Sequence, residues 1–160
     1  MAPLMSRGER QQAGFSYVWV LCALALAAAA LAQVGPWWSV AQQREREAEL
    51  IRIGAAYAEA IARYEQLSPG SLKKYPPTVD ALLLDTRFIG TSRHLRKAYT
   101  DPMNPGQPFG IVRGDDGTIR GIFSTSSAQP LRREPLDLGV LVLPAASSYS
   151  DWRFIPLRRP

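Results

Sequence analysis

The side chains able to do chemistry are few and scattered. The chain holds a single histidine, His94, and a single cysteine, Cys22, so neither an internal disulfide nor a Cys/His zinc site can be assembled from it. The acids nearest His94 in sequence are Asp85 and Asp101, and no second histidine or cysteine joins it. No paired carboxylates stand at helical spacing, and no Ser/His/Asp order sits in a recognisable local context, which argues against an enzyme. The segment Gly114-Asp115-Asp116-Gly117 has the glycines of a tight turn, but the Lys-Ser/Thr and helix of a phosphate cradle do not follow it. Arg93-His94-Leu95-Arg96-Lys97 reads as a solvated basic turn, with a docking patch for an acidic partner as the alternative.

Composition narrows the classes further. The 160 residues are 46% hydrophobic and 21% charged, ordinary for a folded chain and unlike a disordered or collagenous one. Nineteen basic residues against fourteen acidic ones give a net charge of +5. The basic residues are spread along the chain and often stand beside acids, so no nucleic-acid footprint emerges.

The elements that would position these groups begin with a polar leader, residues 1–14, holding Arg7 and Arg10 against Glu9. An uncharged run from Phe15 to Val34 follows. Twenty helical residues cover roughly 30 Å, the thickness of a bilayer's hydrocarbon core, so residues 15–34 are expected to form a transmembrane helix. The basic leader predicts a cytoplasmic N-terminus, and with it a single-pass inner-membrane protein whose C-terminal part is periplasmic. Two other readings are a secretory signal cleaved after Ala32, releasing a soluble periplasmic binding or adaptor protein, and a lipoprotein signal at Cys22. Val20-Leu21 before Cys22 stands against the second, where small residues are wanted.

Helical sequence resumes at once after Gly35-Pro36-Trp37-Trp38. Ser39 to Leu67 is rich in strong helix formers, and Leu50, Ile53, Tyr57, Ile61 and Tyr64 recur at steps of three or four. Residues 35–67 are therefore read as the periplasmic half of one long helix, roughly 80 Å from Phe15 if unbroken, kinked at Gly35 and Pro36 and stopped by Ser68-Pro69-Gly70. Glu59 and Arg63, four apart, support its solvated side, and Arg44-Glu45-Arg46-Glu47 is expected to be a wet face. Residues 68–108 read as a connecting region with short helices, one of them capped by Thr78 and burying Val79, Leu82 and Leu83. Residues 109–160 read as an antiparallel sheet and tail, with strands over 109–112, 118–123, 140–143 and 152–155 and a hairpin at Gly114–Gly117. The expected fold is α+β, a long helix covering a small antiparallel sheet.

A basic leader ending in Gly14, then Phe15 and an apolar helix, resembles the prepilin-type signal of type IV pilins and type II secretion pseudopilins. Tyr75-Pro76-Pro77, then Asp101-Pro102-Met103, then Phe109-Gly110 with Gly121-Ile122-Phe123, and finally Tyr149-Ser150-Asp151-Trp152 resemble the periplasmic domain of the major-pseudopilin type, in the same order. The resemblance implies a pilin-like fold, cleavage by a prepilin peptidase between Gly14 and Phe15, and methylation of Phe15. It also implies a structural, non-enzymatic role in a helical filament, with other subunits, an inner-membrane assembly platform and the lipid bilayer as partners. Trp19 stands where the family usually has glutamate, which fits a minor subunit better than the main one. Type II secretion and type IV pilus roles stay open. No cofactor is expected; some major pseudopilins hold calcium, for which Asp115, Asp116, Asp137 and Asp151 are the available carboxylates.

Overall fold

The computed structural model describes residues 13–32, 34–70 and 73–158, with side chains described over 16–30, 38–70 and 73–158. Residues 1–42 and 43–160 form separate units, taken here in turn. In the first, helix α1 runs Ala13–Ala32, with alanine and leucine supplying helix propensity and no proline to break it. Helix α2, Val34–Gln66, begins in this unit. Gly35 and Pro36 fall in its first turn, where the donor a proline lacks has no helical partner to lose.

The unit 43–160 is an α+β domain. The stripe Leu50, Ile53, Tyr57, Ile61 and Tyr64 of α2 is buried, and joins Ile119, Ile122, Trp152 and Phe154 in one core. Strands β1 (Gly110–Arg113), β2 (Ile119–Phe123) and β5 (Arg153–Phe154) form a three-stranded antiparallel sheet in the order β1-β2-β5. Strands β3 (Leu136–Asp137) and β4 (Val142–Leu143) form a separate two-stranded sheet. The expected single sheet is thus two, and β3, at two residues directly after Pro135, is too short to show any alternation in the sequence.

The β1–β2 hairpin turns where expected. Gly117 takes φ +74°, a conformation that favours glycine, and its N–H donates to the Gly114 carbonyl at 2.9 Å. Tyr57 meets Phe109 edge to face at 5.9 Å, and its hydroxyl accepts from the Tyr99 N–H, which ties the connecting region to α2. Helix α3 is one turn, Asp80–Leu83, and Thr78 Oγ1 accepts from Ala81 N–H at 3.3 Å, close to the capping role its sequence suggested.

The tightest joint is at Gly54. A Cβ there would sit inside the ring of Phe154, so α2 seats on β5 only because residue 54 has no side chain. A Gly54→Val variant is expected to lose about 1–3 kcal/mol or more of stability, by overpacking, while a Gly70→Ala variant, strained at φ +81° but with no atom within contact of the new Cβ, loses less. Denaturant unfolding of the two variants beside the parent checks the ranking.

Candidate functional site

The expected processing site lies at the start of α1: Gly14 and Phe15 are helical in the backbone, and the Phe15 side chain lies outside the described residues, as does the leader through residue 12. From Ser16 to Ala30 every residue of α1 is exposed. Tyr17, Trp19 and Leu26 keep 66%, 67% and 73% of their surface open. A contiguous apolar surface of this kind marks a place where something else is meant to pack.

The expected transmembrane helix requires a correction. Among the described residues no helix is long and apolar enough to cross a membrane. The single-pass inner-membrane placement with a periplasmic C-terminal domain falls with it.

His94 is buried, and the structure supplies the partner that its sequence neighbourhood only hinted at. Its Nε2 lies 3.0 Å from Asp85 Oδ2, and Asp85 is itself 1% exposed. Asp85 accepts from Arg87 Nε at 2.9 Å and Nη2 at 2.7 Å, a fork that matches the carboxylate geometry. The Arg87 guanidinium lies 3.4 Å over the Tyr64 ring and donates to the Tyr64 carbonyl at 3.0 Å, closing the C-terminus of α2, where backbone acceptors lack helical partners. Arg87 Nη1 also donates to Ser68 Oγ. A serine, a histidine and an aspartate thus share one cluster, yet the Ser68 hydroxyl meets Arg87 and backbone groups and not the imidazole, so no base can take its proton. The cluster fastens a loop to a helix end. Around His94, Arg93, Arg96 and Lys97 are exposed while Leu95 is buried, so the basic turn is only partly solvated.

Two other buried carboxylates do similar work. Glu47, expected on a wet face, is 7% exposed and accepts from the Leu131 N–H at 2.7 Å, the Arg132 N–H at 3.2 Å and the Tyr149 hydroxyl at 2.7 Å. Burial, reinforced by Glu47, pushes the Tyr149 hydroxyl up to about 12, so it stays protonated and donates. Asp101 of the Asp101-Pro102-Met103 segment is fully buried and accepts from Met103 N–H, Ser124 Oγ and Thr125 N–H at 2.8–2.9 Å. In Tyr75-Pro76-Pro77, Pro76 is buried and its carbonyl accepts from the Ile119 N–H of β2 at 2.8 Å. Both family-like segments therefore brace the first sheet.

The four carboxylates considered for calcium are not gathered. Asp116 serves Thr118 and Arg120, Asp137 accepts from Gly139 N–H, and Asp151 accepts from Ser147 and Ser148, each within its own turn. Among the described residues no group of three or more His, Cys, Asp or Glu is placed to hold a metal. Glu59 and Arg63 lie on the exposed side of α2 as expected, and among the described residues Arg52 with Glu49 is the ion pair on that helix. Sequence reasoning missed the burial of Glu47, which stands in a run of alternating charges, and named Asp85 near His94 without the Arg87 and Ser68 contacts, which depend on how the loop folds back onto α2. No family model, curated protein or solved structure matches the chain.

The Asp85 cluster sets a pH dependence. Hydrogen bonds from Arg87 first, and from His94 next, hold the Asp85 carboxyl well below the usual carboxylate range, against the opposing effect of burial. A carboxyl lowered in the folded state stabilises fully above its unfolded value, near 3.9, and that contribution drains away as pH falls through the folded value. Unfolding free energy is therefore expected to decline from about pH 5 toward pH 2, and Asp85→Asn to cost about 3–5 kcal/mol at neutral pH while flattening that decline. Urea titrations across pH read both.

Proposed function

We propose that the chain is a structural, non-enzymatic subunit of a polymer: a pseudopilin of a type II secretion-like or type IV pilus-like filament, with a pilin-like fold. The observation that carries the reading is α1, whose Tyr17 to Leu26 face leaves seven large apolar residues between 47% and 73% exposed in the isolated subunit. Covering such surface stabilises by about 25 cal/mol per Å², so α1 gains by packing against the same helix of other subunits. The α+β arrangement, with α2 lying on small antiparallel sheets, supports the reading, since it is what the resemblance implies for the domain after the helix. The polar clusters add weight, because Glu47, Asp85 and Asp101 are each consumed by backbone and side-chain donors of their own domain.

In this reading a prepilin peptidase cuts between Gly14 and Phe15, the new Phe15 is methylated, and an assembly platform with its own ATPase builds the filament. Trp19 lacks the carboxylate that would pair with the terminal amine of a neighbour, which suits a minor subunit or one at a filament end. Intact mass of the mature protein tests the processing step. The expected product starts at Phe15 and carries one added methyl, and a product starting at Gln33 would instead favour a released binding or adaptor protein. Gly14→Leu is expected to leave uncut precursor that stays out of filaments, read by immunoblot and by filament yield.

A further inference from the structure

The unit 43–160 carries an open groove of about 480 Å³ lined by Arg44, Glu47, Leu131, Arg132, Arg133 and Glu134. Its existence follows from Glu47. By accepting the Leu131 and Arg132 N–H groups, that carboxylate pins residues 131–132 to α2 and brings the exposed Arg132 and Arg133 beside Arg44 of the helix. Among the described residues none of the three guanidiniums has a hydrogen-bond, ion-pair or ring partner. The Glu47 carboxylate is already committed to three donors, so Glu134 is the one exposed acid in the lining. Three cations lining one groove with a single exposed acid attract an anion arriving from outside.

The same chain presents such an anion. Asp115-Asp116 is the only pair of adjacent acids in the sequence, and it occupies the exposed tip of the β1–β2 hairpin. The tip is firmly built: Gly117 N–H donates to Gly114 O and Gly114 N–H to Thr118 O, each at 2.9 Å. Asp116 is held by Thr118 and Arg120, while the Asp115 carboxylate has no partner among the described residues. Glu49 is engaged by Arg52 and Asp151 by Ser148, whereas Glu45, Glu59, Asp80 and Glu134 are exposed only as single acids.

We propose that the arginine groove receives the Asp115-Asp116 turn of a second copy of this chain. Groove and turn are different patches, so the contact is head to tail: each added copy fills one groove and leaves another open, which builds open chains and not closed pairs. The inference rests on the filament reading and adds to it a lateral, charge-based contact between the folded domains.

The test uses the full-length chain in mild detergent, with two distinguishable tags, and reads self-association by co-capture and sedimentation at low and high salt. Wild type is expected to associate more weakly as salt rises, because exposed charge contacts are screened beyond about 10 Å at 0.1 M. Arg132→Glu with Arg133→Glu, and separately Asp115→Lys, are each expected to lower self-association roughly fivefold, and mixing the two variants to restore it. None of these side chains contributes to the core, and unchanged thermal melts confirm that the variants fold. Variants that self-associate with wild-type strength and salt dependence, or a mixture that recovers nothing, overturn the groove contact and leave α1-driven assembly standing. Absence of self-association by wild type at any salt overturns this inference, while the filament reading of a minor or end subunit stands or falls on the processing test above.

Discussion

The folded domain depends on one close approach, the ring of Phe154 against the bare backbone of Gly54. A helix with a single apolar stripe has to bury it, and a short strand such as β5 brings only one inward side chain to the meeting. Letting the helix axis come that near allows Trp152 and Phe154 to be fully enclosed together with Leu50, Ile61 and Ile122. Close packing of this sort leaves no room for compensation, since interiors are as dense as organic crystals and yield little to an added methyl.

The rest of the domain is irregular, and irregular backbone brings a difficulty of its own. Residues between α3 and β1, and again between β2 and β5, have few ladder partners, yet several of them are buried and need their polar groups satisfied. Three enclosed carboxylates meet much of that need. Asp85 closes the end of α2 through Arg87, Asp101 gathers residues 103, 124 and 125, and Glu47 receives the strand of chain at 131–132. Each is a charged acceptor of several donors, so each contact is stronger than a neutral hydrogen bond and harder to replace. The domain is thus held by two different means, apolar seating under α2 and anionic clasps where the chain wanders.

Regular structure was legible in the sequence to the extent that it is periodic. The stripe Leu50, Ile53, Tyr57, Ile61 and Tyr64 repeats every three or four residues, and all five side chains are buried. Gly114-Asp115-Asp116-Gly117 announces its turn, because few residues tolerate the backbone that a hairpin needs. Strand β3 was hidden, since two residues show no alternation, and so was the division into two sheets, which depends on pairing between distant segments. The membrane-spanning expectation came from counting uncharged residues over 15–34, whereas among the described residues no helix is long and apolar enough to cross a membrane. Arg44-Glu45-Arg46-Glu47 was misleading in a similar way. Alternating charges look uniformly wet, whereas helical geometry turns Glu47 toward the core, three residues before the fully buried Leu50.

Strand β5 also sets an order of events during synthesis. The ribosome delivers α2 about ninety residues before Phe154, so the greasy flank of that helix has no lasting cover until almost the whole domain has emerged. Long-range closure of this kind is slow and leaves sticky intermediates exposed to neighbours. The nascent chain therefore passes through a window in which a chaperone, or another emerging copy, competes with its own last strand for the same helix.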